Sequence, residues 1–345
     1  MEKKNFGKTN LEVSEVALGG IPLQRLTKNK AVYLIREIIN SGINFIDTAN
    51  AYHDSEEKIG EAIKIFKRDK LVISSKSGAR DSKTFLSHLD LSLKRLGTDY
   101  LDIYHLHGVN NEDNFEKVMA PGGAYEVLEK AVASGKVRYC AFSSHNLETA
   151  KKIMLTNKFQ VVQYPINFID DEAEKELIPL ARKLKVGFIA MKPMGGGMIE
   201  DAGLAFRYLS QFKEIIPDPG IEKLEEMEEI IDIVENSRPL TNSEKEEIKT
   251  IKKELGDKWC HMCDYCQPCP NGIMISMVLR TESFVKRFSV DSKLMDSFEQ
   301  NIKNAEDCVE CKECMEKCPY NLNIPELLKQ KIEFWKNYKK NQPGK

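Results

Sequence analysis

The chain has 345 residues, of which 41% are hydrophobic and 30% charged, and a formal net charge of −2. This composition allows a sizeable hydrophobic core and excludes general disorder and bulk attraction to nucleic acid or anionic membranes. No apolar run reaches the roughly 18 residues of a membrane span and the amino terminus lacks the apolar centre of a signal peptide, so we expect a cytoplasmic protein without nucleic-acid or membrane partners.

Short apolar, β-rich runs alternate with amphipathic helical stretches up to about residue 235. This alternation is typical of βα units around a parallel sheet. The predicted strands cover residues 13–18, 44–47, 71–75, 100–106, 137–143, 161–164, 187–191 and 214–217. Eight such units close a (β/α)8 TIM barrel more readily than they form an open sheet, so the predicted fold class is α/β. A highly charged stretch, 222–255, follows, and we expect a domain boundary near Asp257.

Four polar residues lie at or just after strand ends, where barrel enzymes place their reactive groups. Asp47 ends the second strand, Tyr52 follows it, Lys76 ends the third strand and His107 ends the fourth. The segments FIDTANAYHDSEEKIGEAI, ISSKSG and DYLDIYHLHGVNN resemble, in that order, the signatures of the aldo-keto reductase family, and the resemblance covers most of residues 1–230. It implies reduction of an aldehyde or ketone with NAD(P)H, and it implies that these four residues are catalytic.

Elementary chemistry gives each of the four a role. A phenol with an ordinary pKa of about 10 exchanges protons poorly near neutrality, a nearby ammonium favours its ionised form, and a carboxylate keeps that ammonium charged. We interpret Tyr52 as the general acid that protonates the carbonyl oxygen, while His107 orients this oxygen by a hydrogen bond. The alternative is a structural ion pair between Asp47 and Lys76, with Tyr52 and His107 as ordinary rim residues. Four such residues at or just after three consecutive strand ends favour catalysis.

Two other histidines lie close by in sequence. His105 is two residues before His107 on the same strand, so we predict that it belongs to the core or supports the site from behind. His53 stands where the family usually has glycine. Its two interpretations, a neighbour of the substrate pocket or an ordinary surface residue, both stay open.

The cofactor is not expected in a Rossmann site, because no G-x-G-x-x-G motif occurs between a strand and a helix. The resemblance implies a cofactor lying across the barrel mouth. AFSSHN and VVQYPIN resemble the segments that hold the nicotinamide carboxamide, through Ser143 and Gln163, with Ser144 in place of a frequent asparagine. Serine and glutamine supply the donor and acceptor that an amide needs, although either residue could instead bond only within its loop.

The segment AMKPMGGG follows the seventh strand, and loops at this position are the usual phosphate site of barrels. Lys192 and the glycines from Gly195 onward are candidates for the pyrophosphate, through charge and backbone N–H groups. Met191 stands where the family often has an aromatic ring against the nicotinamide, and Lys192 where it often has a hydroxyl residue. This departure suggests altered cofactor handling.

The segment PGIEKLEE bears on the choice of cofactor. NADPH-dependent relatives have basic residues after the proline and glycine, whereas here Glu222, Glu225 and Glu226 surround the single Lys223. Carboxylates repel a 2′-phosphate and can accept hydrogen bonds from ribose hydroxyls. The sequence therefore favours NADH over NADPH.

Eight of the nine cysteines lie between residues 260 and 318, and only Cys140 stands apart. Cys308, Cys311, Cys314 and Cys318, followed by proline, have the spacing of a bacterial ferredoxin motif. The first run, formed by Cys260, Cys263, Cys266 and Cys269, also ends in Cys-Pro but is one residue shorter in its last gap. Zinc is the alternative, but a zinc ribbon separates two pairs by a long loop and has no role for a third closely spaced cysteine. We therefore predict two [4Fe-4S] clusters.

In ferredoxins the fourth cysteine of each run ligates the other cluster. This crossed pattern assigns one cluster to Cys260, Cys263, Cys266 and Cys318, and the other to Cys269, Cys308, Cys311 and Cys314. The predicted organisation is a barrel over 1–257, a small α-helical ferredoxin-like module over 258–330 and a basic tail over 331–345. The family is known to include members with such a C-terminal module.

Three functions remain open at this point. The chain is an oxidoreductase that exchanges electrons with a redox partner protein, an electron-transfer protein with a barrel for docking, or a redox sensor. The four residues at the barrel mouth favour the first. A hydride carries two electrons and a cluster passes one, and no flavin signature bridges them, so the clusters are either coupled to the barrel or structural.

Overall fold

The computed structural model describes residues 1–256, 258–288 and 293–341. It contains two compact units, Met1–Thr241 and Asn242–Lys345. The predicted boundary residue Asp257 and the last four residues of the predicted tail lie outside the described residues. The helix Asn242–Leu255, which the sequence analysis placed before the boundary, belongs to the second unit. The predicted domain limits stay a prediction.

The first unit contains an antiparallel pair, β1 (Lys3–Asn5) and β2 (Glu12–Ser14), and an eight-stranded parallel sheet. The parallel strands are β3 (Leu18–Gly19), β4 (Phe45–Asp47), β5 (Val72–Ser77), β6 (Leu101–Leu106), β7 (Val137–Ser143), β8 (Val161–Pro165), β9 (Gly187–Met191) and β10 (Ile215–Pro217). They neighbour one another in chain order. The backbone N–H of Ala17 donates to the carbonyl of Pro217 (2.8 Å), and that of Gly19 to Pro219 (2.8 Å), so the last strand meets the first. The predicted (β/α)8 fold is confirmed.

The first predicted strand, 13–18, is divided in the structure between β2 and β3. The side chain of Asn44 accepts from the backbone of Ser14 (2.7 Å) and donates to that of Glu12 (2.8 Å), while the Ser14 hydroxyl donates to the carbonyl of Val16 (2.7 Å). These bonds turn the chain between the two strands. The local sequence of residues 13–18 does not reveal this turn, because the polar partner Asn44 is distant in sequence.

Ten α-helices accompany the strands of this unit: α1 (Lys28–Asn40), α2 (Ser55–Ile63), α3 (Ser82–Leu96), α4 (Glu112–Met119), α5 (Ala124–Ala133), α6 (Leu147–Leu155), α7 (Glu172–Lys175), α8 (Leu177–Leu184), α9 (Ala202–Leu209) and α10 (Leu224–Glu235). Short 3-10 turns cover Ile21–Arg25 and Arg68–Lys70. The boundaries follow local chemistry. In α3, the Asp81 side chain accepts from the backbone of Thr84 (2.9 Å) and Gly97 ends the helix in the left-handed conformation.

The barrel interior is filled by apolar side chains, one from each of several neighbouring strands, among them Phe45, Val72, Ile103 and Ile189. Phe6, 1% exposed, packs into this cluster from the N-terminal segment. A Cβ atom on Gly187 would lie 2.8 Å from the Phe6 ring, so the close approach requires glycine. Burial of a phenylalanine contributes about 1.5–3 kcal/mol. This packed core leaves the polar chemistry to the strand ends.

The second unit is helical. Its helices are α11 (Asn242–Leu255), α12 (Ile275–Leu279), α13 (Thr281–Arg287), α14 (Lys293–Glu306), α15 (Glu313–Glu316) and α16 (Ile324–Lys340). Phe298 on α14 stacks with Phe284 (4.7 Å between ring centroids) and meets Trp335 edge to face (5.2 Å). These rings join three helices around a small core. Across the described ranges, no helix has both the length and the apolar character to cross a membrane.

Candidate active site and candidate cluster sites

The loop that carries Tyr52 is fixed by the strands on either side of it. The backbone N–H of Thr48 donates to the carbonyl of Ser74 (2.9 Å), and that of Asn50 to the carbonyl of Lys76 (3.0 Å). Further on, the Ser55 hydroxyl donates to the carbonyl of Gly20 (2.8 Å) and contacts the Thr48 hydroxyl (2.9 Å). The loop therefore continues the ladder between β4 and β5, and the ring of Tyr52 is held at the barrel mouth.

Asp47 and Lys76 form a buried ion pair at the ends of β4 and β5. The Lys76 ammonium also donates to the carbonyl of Thr48 (2.7 Å), and the Ser74 hydroxyl donates to Asp47 (2.8 Å). Burial by itself disfavours both charges, but the mutual attraction outweighs it: the pKa of Lys76 is raised and that of Asp47 is lowered. The ammonium is therefore held charged beneath the mouth.

Tyr52 and His107 flank this ammonium. The Lys76 Nζ atom lies 5.4 Å from the centroid of the Tyr52 ring, and the rings of Tyr52 and His107 meet edge to face with centroids 6.1 Å apart. Burial and the nearby Lys76 lower the pKa of His107 to about 3. A neutral imidazole carries one N–H and can donate one hydrogen bond. The structure thus brings all four predicted residues together.

His107 is held through its backbone. Its N–H donates to the carbonyl of Ser77 (2.9 Å), and the guanidinium of Arg80 donates to the carbonyls of His107 (2.9 Å) and Gly108 (2.8 Å). Arg80 also donates to the Asn114 side chain (2.8 Å). Sequence reasoning did not single out Arg80, because nothing in the SKSGAR segment shows that its partners come from the next loop.

The other two histidines differ from each other. His105 is fully buried and its Nε2 atom lies 2.9 Å from the Ser74 hydroxyl, so it supports the ion pair from behind through Ser74. Burial and Lys76 lower its pKa to about 3. His53 is exposed, has a positive φ of 47° and lies 3.4 Å from Asp54. Glycine adopts that backbone conformation without strain, which gives a physical reason for the family's glycine at this position.

Gln163 on β8 joins two carboxyl groups. Its Nε2 atom donates to Asp47 (3.1 Å) and to Asp218 (2.7 Å). Asp218 follows β10 and is 8% exposed. Burial and the Asp47 carboxylate raise the pKa of Asp218 well above its usual range. The sequence analysis did not identify Asp218, although it follows a predicted strand end just as the four catalytic candidates do.

The two predicted serines lie beside this group, at the end of β7. The Ser143 hydroxyl accepts from the backbone of Gly108 (2.9 Å), and the Ser143 carbonyl accepts from Val109 (2.9 Å). The backbone N–H of Ser144 donates to the carbonyl of Gln163 (3.1 Å), and its hydroxyl donates to the carbonyl of Asn146 (3.3 Å). Both serines are buried, but only the Ser144 hydroxyl bonds within its own loop, so the loop interpretation describes Ser144 in part and does not describe Ser143.

The glycine segment after β9 forms a tight turn. Gly195, Gly196 and Gly197 all have positive φ, at 57°, 71° and 86°. The N–H of Gly195 donates to the carbonyl of Lys192 (2.8 Å), and that of Gly197 to Met194 (2.9 Å). These two N–H groups therefore serve the turn, which leaves charge as the main contribution of this segment to an anion site.

The acidic segment begins α10. Glu226 folds back so that its carboxylate accepts from the backbone N–H groups of Glu222 (2.9 Å) and Lys223 (3.1 Å). Glu222 also lies 3.3 Å from Arg25. The N-terminus of this helix, a favourable position for a phosphate, already holds a carboxylate of the chain itself.

In the second unit the cysteines line two cavities in the crossed pattern. One cavity is lined by Cys260, Cys263, Cys266 and Cys318. The other is lined by Cys269, Cys308, Cys311 and Cys314, and Cys266 also reaches it. None of the nine cysteines, all of which lie within the described ranges, forms a disulfide. Two sets of four sulfur donors around separate cavities suit two four-iron clusters.

The two runs also share a backbone pattern. Left-handed residues flank the second cysteine of each: Met262 (φ 61°) and Asp264 (φ 63°) in the first run, and Glu310 (φ 52°) and Lys312 (φ 66°) in the second. Such residues turn the chain tightly around a centre. The two runs therefore turn in the same way around their second cysteine.

Comparisons with known proteins agree with the fold and with an iron-sulfur domain in the second unit. The chain belongs to the aldo/keto reductase family, whose model matches residues 15–204. It is an oxidoreductase of this family, and residues 259–323 match a 4Fe-4S dicluster domain. The family resemblance predicted from the sequence motifs is confirmed.

Among curated relatives, the chain is 31% identical over 219 residues to the uncharacterized oxidoreductase YqkF of Bacillus subtilis (strain 168), which covers 59% of this chain and 68% of the relative. It is 27% identical to the probable aldo-keto reductase 1 of Glycine max over 58% of this chain and 61% of that one.

Solved structures show the same fold. Aldo-keto reductase AKR11C1 from Bacillus halodurans (holo form) has a TM-score of 0.62 at 22% identity, over 73% of this chain and 96% of that one. The aldo-keto reductase from Klebsiella pneumoniae in complex with NADPH has a TM-score of 0.62 at 21% identity, over 73% and 95%.

Proposed function

We propose that the barrel reduces a small aldehyde or ketone with a nicotinamide cofactor, with Tyr52 as the general acid. The observation that carries this proposal is the buried Asp47–Lys76 pair, whose ammonium lies 5.4 Å from the Tyr52 ring at the barrel mouth. A buried ion pair stabilises a fold little compared with its desolvation cost, so its position under a tyrosine favours a catalytic purpose. This weighs against the purely structural interpretation.

Each residue then has one task. Tyr52 transfers its phenolic proton to the carbonyl oxygen, and the charge of Lys76 stabilises the phenolate that remains. Asp47 keeps Lys76 charged and in place. The neutral His107 donates a hydrogen bond to the same oxygen and orients it. The cofactor, when bound, supplies a hydride to the carbonyl carbon.

The carboxamide end of the nicotinamide is assigned to Ser143, Ser144 and Gln163. Both hydrogens of the Gln163 amide nitrogen have carboxylate partners, so its oxygen is the group that can serve the carboxamide NH2. Met191 ends β9 beside this group and supplies an apolar contact for the ring. Lys192 attracts the pyrophosphate, and the Gly195 turn allows the close approach.

The dicluster domain is proposed to hold two [4Fe-4S] clusters by crossed ligation, over the predicted module 258–330. The thiolates of the two lined cavities are its ligands, and the clusters exchange single electrons with a redox partner protein.

Assay of the anaerobically purified protein with a panel of aldehydes and ketones, followed by loss of NADH or NADPH absorbance, tests the barrel's function directly. Failure to oxidise either NADH or NADPH with every carbonyl of the panel would refute it.

We expect the protein to bind NADH more tightly than NADPH. The carboxylate of Glu226 lies at the start of α10, where it accepts from the backbone N–H groups of Glu222 and Lys223, and Glu225 adds negative charge on an exposed position of the same turn. Both carboxylates repel a 2′-phosphate. Fluorescence titration with both cofactors measures the ratio. A preference for NADPH of tenfold or more, about 1.4 kcal/mol, would overturn the prediction.

A charge-reversal pair sharpens this test. Glu225→Arg should tighten NADPH binding several-fold while changing NADH binding little. Glu229→Arg, an exposed position one turn further along α10, makes the same change in net charge farther from the helix start and should have a smaller effect because salt screens it. Equal effects of the two variants would mean that the segment does not contact the 2′ position.

A further inference from the structure

Asp218 is a buried carboxyl group that the proposed reaction does not use. It directly follows β10, at the end of the barrel where Asp47, Lys76 and Gln163 lie. Its backbone N–H donates to the carbonyl of Ala190 (3.2 Å), which ties it to β9. Only 8% of the residue is exposed. Burial of a carboxyl group costs free energy unless neighbouring groups form hydrogen bonds or ion pairs with it.

Hydrogen-bond accounting shows what is left over in this group. The Gln163 Nε2 atom donates to one oxygen each of Asp47 (3.1 Å) and Asp218 (2.7 Å). The amide oxygen Oε1 of Gln163 and the second oxygen of Asp218, Oδ1, are buried without a hydrogen-bond partner among the residues that the structure describes. An unsatisfied buried polar atom costs about 1–3 kcal/mol. Asp218 also lies within hydrogen-bond reach of Asp47, so the Gln163 oxygen is the atom of this group that a ligand would supply with a donor.

The charges around Asp218 are unbalanced. Two carboxyl groups, Asp47 and Asp218, share the single ammonium of Lys76, while His105 and His107 are neutral because burial lowers the pKa of each to about 3. Tyr52 lies beyond Lys76, and Lys192 follows the neighbouring strand β9. On the Asp218 segment itself, Glu222 is paired with Arg25. The pKa of Asp47 is lowered by Lys76 and that of Asp218 is raised by burial and by Asp47, so Asp218 is the carboxyl group of the pair that takes up a proton more readily.

We propose that Asp218 is a positioning residue that fixes the Gln163 amide with its oxygen available to the nicotinamide, and that release of the Asp218 proton to solvent shifts the site toward the oxidised cofactor. This inference rests on the proposed nicotinamide site. The ring of NAD⁺ carries a positive charge that NADH lacks. A carboxylate beside it therefore stabilises NAD⁺ selectively, whereas the protonated acid does not. Protonation of one buried group thereby couples solution pH to the preference between the two cofactor forms.

The test compares the dissociation constants of NAD⁺ and NADH between about pH 6 and pH 9. In the wild-type protein the ratio Kd(NAD⁺)/Kd(NADH) should fall by about threefold to tenfold as the pH rises. Asp218→Asn keeps an acceptor for Gln163 but cannot ionise, so its ratio should stay nearly constant. Asp170→Asn removes another buried carboxyl group, one that accepts from Asn167 (2.9 Å), and should keep the wild-type pH dependence. An unchanged pH dependence in Asp218→Asn would overturn the inference.

A measurement on the wild-type protein covers the case in which the variant does not fold. Titration calorimetry in two buffers of different ionisation enthalpy gives the protons released on binding, and NAD⁺ should release more than NADH near neutral pH. The same titration of Tyr52→Phe removes any contribution of the phenol. If NAD⁺ and NADH released equal numbers of protons on binding, the proposed role of Asp218 would be refuted. The proposed nicotinamide site would not be affected by that result. Absence of binding by either cofactor would refute the proposed nicotinamide site and, with it, this inference.

Discussion

Tyr52→Phe should reduce the rate of carbonyl reduction by roughly 10²–10⁴-fold, the usual loss when a general acid is removed. The phenylalanine keeps the ring that contacts His107 and Lys76 but has no proton to donate. Nicotinamide binding should therefore stay nearly intact. Steady-state kinetics on the best carbonyl substrate, combined with fluorescence titration of NADH, measures both properties.

The control for this substitution is Tyr33→Phe, which removes the same hydroxyl from an exposed position on α1. Its activity should equal that of the wild type. If Tyr52→Phe retained activity within about threefold of the wild type, a general acid with this role would be excluded. If the variant lost cofactor binding as well, the phenol would have a binding role, and the loss of rate would not report proton transfer.

Anaerobically prepared protein should contain about eight irons per chain, in two four-iron clusters. Cys318→Ser should damage the cluster held by the first cysteine run, because Cys318 lines the cavity of Cys260, Cys263 and Cys266. Cys269→Ser should damage the other cluster, since Cys269 lines the cavity of the second run. Each variant should lose up to about half of its iron, and paramagnetic or Mössbauer spectra distinguish which cluster is disturbed.

Cys140→Ser serves as the matched control, since Cys140 lies buried in β7, outside the cysteine-rich segment, and its loss should leave the iron content unchanged. If each substitution disturbed the cluster held by the cysteine run that contains it, crossed ligation would be contradicted. The iron-sulfur assignment would still stand. Stoichiometric zinc without iron, under anaerobic expression with iron supplied, would refute the clusters and the electron-transfer role together.

Much of the fold could be predicted because its signals are local. The alternation of apolar runs with amphipathic helices predicted the eight parallel strands in order. The polar residues at the strand ends predicted a cluster of side chains, and the structure brings these side chains together. This works because the C-terminal ends of all barrel strands open on the same side, so a position at a strand end already implies a position in space. The regular cysteine spacing likewise predicted which thiols line each cavity, although the ligands themselves stay a proposal.

Several features depended on contacts between distant segments. The break in the first strand comes from Asn44, 30 residues after its partner Ser14, and the hold on His107 comes from Arg80 in another loop. At the start of α10, the side chain of Glu226 folds back and accepts from the backbone N–H of Glu222, which composition alone does not show.

Periodicity and motifs determined the fold class, the family and the residues at the barrel mouth, because each follows from spacing along the chain. Only the tertiary structure identified Asp218 as part of the site. Its raised pKa and its unpartnered oxygen arise from burial beside Gln163, Asp47 and Lys76, which lie on three different strands. Burial and charge are properties of that assembled environment, so no one segment of the sequence contains them.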